Sequence, residues 1–224
     1  KTDGTLWTWG RNHYGQLGDN TTTNRCTPVT TFSGGTNWKQ VASGGSSSAI
    51  KTDGTLWTWG RNTYGQLGDN TTTNRCTPVT TFAGGTNWKQ VGSSDGNLAA
   101  IKTDGTLWTC GRNASGQLGD NTATNRCTPV TTFSGGTNWK QVTSFGGTPQ
   151  GFMLAIKTDG TLWVWGRGGF LGNNDNTGDK LTPVTTFAGG TNWKSVGSGS
   201  ATPAGGNAAA AAITSGTDPT YFIT

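Results

Sequence analysis

The decapeptide Lys-Thr-Asp-Gly-Thr-Leu-Trp-Thr-Trp-Gly occupies Lys1 to Gly10. It returns at Lys51 to Gly60, at Lys102 to Gly111 with Cys110 for the second Trp, and at Lys157 to Gly166 with Val164 for the Thr between the two Trp. The spacings are 50, 51 and 55 residues, and the sequence between the copies repeats too. Self-similarity at such a period makes the folding unit a supersecondary structure that buries its apolar face only against the next copy. Strand and turn signals within the period predict an all-β array, a β-propeller built from four-stranded blades. The repeats run over approximately 1–50, 51–101, 102–156 and 157–213, with 214–224 a partial fifth copy. Four repeats point to a fragment of a larger ring or to closure through a composite blade. The chain opens in the middle of a repeat, without a starting Met or signal peptide, and is read as a processed product or a piece of something longer.

The second repeat gives the strand plan. Trp88 to Gly92 is a short apolar run after the Gly84-Gly85-Thr86-Asn87 turn, and Leu98 to Thr103 is a strand of small residues. Asp104-Gly105 is expected to be a two-residue type I′ hairpin leading into a third strand from Thr106 to Gly111. The fourth strand, Thr128 to Phe133, carries Pro129, which donates no ladder hydrogen bond and belongs at a strand start or the rim. Between the third and fourth strands lies a loop typified by Arg11 to Asn20, in which Leu17 is the lone apolar anchor. Trp7 and Trp9 share one face of their strand, and Trp38, Trp88, Trp139 and Trp193 open the first strand of each unit. Indoles at equivalent places are expected to interleave between neighbouring sheets and to supply the core in place of aliphatic residues.

Composition supports order rather than disorder. Hydrophobic residues make up only 30%, but charged residues are only 12%, and there are 38 Gly and 11 Trp. The net charge is +5 and every acid is Asp. Lys and Arg are spread through the repeats without a basic run, so no nucleic-acid partner is expected. No apolar stretch approaches the ~20 residues of a membrane span, so no membrane insertion is expected.

The polar residues do not assemble a catalytic set. His13 is the single histidine, and its place is taken by Thr63 and Ala114 in the next copies. Asp3, Asp53, Asp104 and Asp159 recur as turn residues, and Asp19, Asp69 and Asp120 as turn or capping residues. Cys26, Cys76 and Cys127 occupy equivalent positions a blade apart, too far for disulfides, and with Cys110 are expected to be buried, reduced thiols. No spacing suggests zinc, and Asp175 to Asp179 lacks the ligand set of a calcium loop. No cofactor, metal or catalytic residue is therefore expected. Asn20, Asn70 and Asn113 are glycosylation acceptors by sequence.

Length variation concentrates in the loop between the first and second strands. That loop covers 43–47 in the first copy and 93–97 in the second, growing to 144–152 in the third and 198–207 in the last. Insertions on a single face mark a binding side. The candidate partner-contact residues are Phe145, Thr148, Gln150, Phe152, Ser200, Thr202 and Asn207.

The pattern Asp-Gly-Thr-Leu-Trp-Thr-Trp-Gly-Arg-Asn, then Gly-Gln-Leu-Gly-Asp, Thr-Pro-Val and Trp-Lys-Gln-Val, resembles the regulator of chromosome condensation repeat family over nearly the whole chain. The resemblance implies propeller blades, usually seven to a ring, so four copies are a departure. It also implies nucleotide exchange on a small GTPase and chromatin binding, although no exchange-site insertion or basic tail is present to carry them. Near-identical repeats rich in Thr, Asn and Gly resemble bacterial or phage surface versions. The expected function is a non-enzymatic structural or protein-interaction module of a surface or virion assembly, acting extracellularly or on a cell or particle surface. A carbohydrate- or receptor-binding propeller is the alternative, and a GTPase exchange factor a second one by family analogy. The expected partner is a protein or a glycan receptor, with a homo-oligomer or larger assembly as the setting.

Overall fold

The computed structural model describes residues 1–145, 151–169, 171–197, 210–214 and 221–223, the last two segments as backbone. Strands β1 (Trp7–Gly10) and β2 (Arg25–Thr30) form a two-stranded antiparallel sheet. Three complete blades follow. The first is β3 (Trp38–Ser43), β4 (Ser46–Lys51), β5 (Leu56–Gly60) and β6 (Arg75–Thr80). The second is β7 (Trp88–Ser93), β8 (Asn97–Lys102), β9 (Leu107–Gly111) and β10 (Arg126–Thr131). The third is β11 (Trp139–Phe145), β12 (Phe152–Lys157), β13 (Leu162–Gly166) and β14 (Lys180–Thr185). A three-stranded sheet of β15 (Trp193–Gly197), β16 (Ala210–Thr214) and β17 (Tyr221–Ile223) ends the described chain.

Each complete blade is an antiparallel meander in chain order, with its proline strand on one edge, as the missing N–H of Pro requires. First strands of successive blades touch one another, β3 with β7, β7 with β11 and β11 with β15, so they form the inner side of the array. A glutamine on each of β3, β7 and β11 ties it to the next first strand. Gln90 Nε2 donates to Val142 O at 2.9 Å while its Oε1 accepts from Val142 N at 3.0 Å. Gln40 grips Val91 and Gln141 grips Val196 in the same two-bond way.

The core lies between blades and has two chemically different walls. Ile50 and Leu56 of the first blade pack with Trp88, Val91, Leu98, Ala100 and Cys110 of the second. The junction of second and third blades places Ile101 and Leu107 with Trp139 and Trp165. Indoles therefore meet aliphatic side chains of the neighbour instead of replacing an aliphatic interior. An indole losing ~200 Å2 of apolar surface contributes about 5 kcal/mol, and its aliphatic wall adds to this. Within a blade the tryptophans meet edge-on: Trp139 lies 6.1 Å from both Trp163 and Trp165.

The Asp-Gly turn differs from the type I′ hairpin expected of it. Gly54 N donates to Lys51 O at 2.9 Å, and Gly54 alone among Thr52, Asp53 and Gly54 has positive φ, at 80°. The geometry is a type I turn over Thr52 and Asp53 followed by a left-handed glycine. The side chains explain the choice. Asp53 Oδ1 accepts from both Thr55 N and Thr55 Oγ1, and Thr55 Oγ1 in turn accepts from Trp57 Nε1, a relay that requires Asp53 in right-handed geometry. Gly105 has no alternative, because a Cβ there would lie 2.0 Å from Thr137 O.

Among the described residues the two ends are separate sheets, β1 pairing with β2 and β17 with β16. The partial fifth copy, in which the sequence register sets Tyr221 and Phe222 in the places of Leu and Trp of the other copies, sits one residue from that register. Tyr221 stands opposite Ala212, the position that Trp57 takes opposite Ala49, so Tyr221 replaces a Trp position instead of the preceding Leu.

Candidate functional site

The recurring polar residues are consumed by the loop between third and fourth strands. Asn62 is fully buried; its Nδ2 donates to Asp69 Oδ1 at 3.0 Å and to Thr71 O and Thr73 O, and its Oδ1 accepts from Leu67 N. Asp69 Oδ1 also accepts from Thr71, and Oδ2 pairs with Arg75 Nε at 2.8 Å. Burial alone would push the Asp69 carboxyl up, but bonds from Thr71, Arg75 and Asn62 outweigh it and hold the group below the usual carboxylate range. The same network recurs around Asp19 and Asp120. Asn113 is buried within it, so one of the three glycosylation acceptors offers no accessible amide.

These loops and the first-to-second-strand loops share one face. The N–H groups of Arg61, Arg112 and Arg167 donate to the carbonyls of Gly45, Gly96 and Gly151, which tie the arginines to the loops of variable length. On that face the guanidiniums alternate with tyrosine rings. Arg11 lies 6.0 Å and Arg61 5.2 Å from the Tyr14 centroid, and Arg61 and Arg112 lie 5.7 and 5.5 Å from Tyr64. Stacking of this kind holds arginines extended while leaving their donors free. Arg61 is engaged twice: its Nη1 meets Asp95 Oδ2 at 3.0 Å and its Nε donates to Thr63 Oγ1 at 3.1 Å, while Gln66 Nε2 donates to Asp95 O. The series stops where Ser115 takes the tyrosine place and is buried.

The residues expected to contact a partner are divided by the structure. Phe145 and Phe152 are not surface residues; they end β11 and begin β12, pair directly across the hairpin, and stack at 5.0 Å in near-parallel planes. Both join the core against Trp193 and Val196, because their side chains point between blades. Thr148, Gln150, Ser200, Thr202 and Asn207 lie outside the described residues. Sequence reasoning missed the arginine–tyrosine series, although its signal was present as Arg-Asn-x-Tyr after the third strand. It also missed a row of exposed phenylalanines. Phe32, Phe82, Phe133 and Phe187 lie two residues beyond the fourth strands at 65 to 74% exposure, their N–H groups bonded to Gly18, Gly68, Gly119 and Gly172 O, so the fourth strand of the second blade ends at Thr131, short of Phe133.

The cysteines also divide. Cys110 is buried and burial pushes its thiol up, but Cys26 is exposed and Cys76 and Cys127 are half-buried, contrary to the expectation that all four are interior. All four are unpaired; Cys26, Cys76 and Cys127 lie a blade apart, and Cys110 lies on the strand beside that of Cys127. His13 is exposed beside Asn24. The Asp175 carboxylate is occupied by Lys180 and Thr177, whose bonds hold it far below its usual range, and Asp179 accepts from Gly168 N. Among the described residues, no group of three or more His, Cys, Asp or Glu could hold a metal ion.

Matching against known families gives the regulator of chromosome condensation (RCC1) repeat over residues 3–50, 53–101 and 104–147, more than half of the chain. The chain belongs to the RCC1 repeat family. A second form of the RCC1 repeat matches residues 38–66 and 88–117. No curated protein matches it in sequence. Among solved structures, human WBSCR16 superimposes with a TM-score of 0.75 at 22% identity, over 95% of this chain and 55% of that one. Prp20p of Saccharomyces cerevisiae, studied for its binding to Gsp1p and histones, gives 0.70 at 21% identity over 81% of this chain and 46% of that one. Yeast RCC1 (Prp20) bound by Kap60 gives 0.66 at 20% identity over 81% of this chain and 44% of that one. The chain thus spans about half the length of these structures, and the likeness establishes its RCC1 blades as part of a propeller.

Proposed function

We propose that this RCC1 array is a non-enzymatic protein-interaction module, of the bacterial or phage type, in a surface or virion assembly. One observation carries the reading: the repeated polar groups are spent on loop architecture, while an arginine–tyrosine series stands beside the loops of variable length. Such a face reads acidic or aromatic protein surface through guanidinium donors and rings. The near-identical repeats and the absence of Glu support the bacterial or phage assignment. The test is binding of the purified chain to a panel of candidate surface and virion proteins, with Arg112→Glu and Tyr64→Ala compared against the parent. Loss of a partner on these substitutions, with unchanged thermal unfolding, is expected. Turnover of a substrate that a single polar substitution abolishes contradicts the reading.

A second reading, a glycan-binding propeller, is favoured by the phenylalanine row, which repeats once per blade and is followed in sequence by Thr and Asn, whose side chains are able to bond hydroxyls. Glycan-dependent binding lost in Phe82→Ala and Phe133→Ala, but retained in Arg112→Glu, selects it over the first.

A further inference from the structure

We infer that the inner edge of the array binds an anionic polysaccharide, a chain of sugars carrying carboxylate or sulfate groups, through a row of four lysines. Each first strand carries a β-bulge at its start. Trp88 stands opposite Lys102 and Gln90 opposite Ile101, so Lys89 is the extra residue. Lys39, Lys140 and Lys194 are the extra residues of β3, β11 and β15 in the same way. A bulge of this kind re-aims a side chain out of the ladder. The neighbours of Lys89 are anchored, Trp88 in the core and Gln90 on Val142, while Lys89 and its three counterparts are exposed.

The glutamine grip sets these lysines side by side. Gln40, one residue after Lys39, bonds Val91, two residues after Lys89. Gln90 with Val142, and Gln141 with Val196, repeat that offset. Successive lysines are therefore staggered by a single residue on touching strands, and the four form one row along the inner edge. An edge lysine also deters pairing with a foreign strand. That role is met by a charge anywhere along the edge, yet Lys194 keeps the bulge position where the grip residue has changed from Gln to Ser195.

The row stands at the end of the strands opposite the arginine–tyrosine face, where Trp88 N and Trp139 N donate to Gly54 O and Gly105 O of the Asp-Gly turns. Among the described residues, the ion pairs use Arg25, Arg61, Arg75, Arg126 and Lys180, and none uses a lysine of the row. The other lysines of this end are engaged: Lys51, Lys102 and Lys157 lie 4.2 to 4.6 Å from the centroids of Trp57, Trp108 and Trp163. Asp53 and its counterparts sit on turns between second and third strands, one strand farther from the inner edge. A row of like charges repels itself and is relieved by a polyanion lying along it.

The surroundings select the polyanion. Single-stranded nucleic acid wants rings on which bases stack, but the indoles at this end are capped by the second-strand lysines. The core of a protein interface favours aromatic residues, Met and Arg and is poor in Lys. What accompanies the row is hydroxyl: Thr36, Thr86, Thr137 and Thr191 are exposed on the turns that lead into the four strands. Ammonium groups for the charges and hydroxyls for the sugars fit a polysaccharide.

This inference goes beyond both readings above, since it uses neither the arginine–tyrosine face nor the phenylalanine row. The experiment measures binding of the purified chain to polygalacturonate, dextran sulfate and neutral dextran by microscale thermophoresis, with thermal unfolding of each variant as the folding control. The expected result is binding of an anionic chain and not of neutral dextran, weakening as salt rises from about 50 to about 200 mM. Lys39→Gln, Lys89→Gln and Lys140→Gln should each weaken it about two- to fivefold, and together at least ~10-fold, with unfolding unchanged. Lys180→Gln removes the same charge from β14, on the outer edge of its blade, and should leave binding within about twofold of the parent. No binding of either anionic chain at ~50 mM salt overturns the inference, and so does an equal loss from Lys180→Gln and Lys89→Gln. Poly-L-glutamate or oligothymidylate binding as tightly also overturns it, and assigns the row to an acidic peptide or to nucleic acid.

Discussion

Asp69 illustrates how a single carboxylate organises one loop. Its side chain is 6% exposed and accepts from Asn62, Thr71 and Arg75, and those bonds hold its folded pKa below the ordinary 3.8. A depressed folded pKa means that the stabilisation is complete above the unfolded value and is lost as pH falls through the folded one. Asp69→Asn keeps the shape but replaces one acceptor oxygen by a donor facing Arg75 or Thr71. It should cost about 1–3 kcal/mol at pH 7, with the gap from the parent narrowing below pH ~4. Urea unfolding at pH 7, 4 and 3 checks this, and an equal deficit at all three contradicts it.

At the scale of elements, the inter-blade glutamine is the most exacting part. Gln90→Ala leaves Val142 N–H and C=O, both on a buried inner strand, without their partner, and should lower stability by about 1–3 kcal/mol. Amide exchange at Val142 should accelerate in step; exchange equal to the parent's contradicts the assignment. Blade order, the rim position of the proline strand and the turn role of the Asp residues were legible in the sequence, because period, Pro chemistry and Asp-Gly pairs act locally. The turn type was not, since it depends on the relay from Asp53 through Thr55 to Trp57. Nor was the burial of Phe145 and Phe152 legible. They look like the rims of an insertion in sequence, but strand pairing extends through them and turns both rings inward. The arginine–tyrosine series escaped notice because its members lie about 50 residues apart and meet only once blades are stacked.

At the scale of the whole molecule, stability is distributed among blade-to-blade junctions, each an indole wall against an aliphatic one. Trp9 on β1, at 61% exposure, gives the contrast to these buried indoles. Fluorine NMR of the chain labelled with 5-fluorotryptophan, at a dilution where it is a single copy, reads each of the 11 indoles separately once Trp→Phe variants assign them. Stacked blades require Trp59, Trp139 and Trp165 to show no solvent-isotope shift between H2O and D2O, and Trp9 to show a clear one. Isotope shifts at Trp59 and Trp165 matching that of Trp9 would contradict the stacking on which the fold depends.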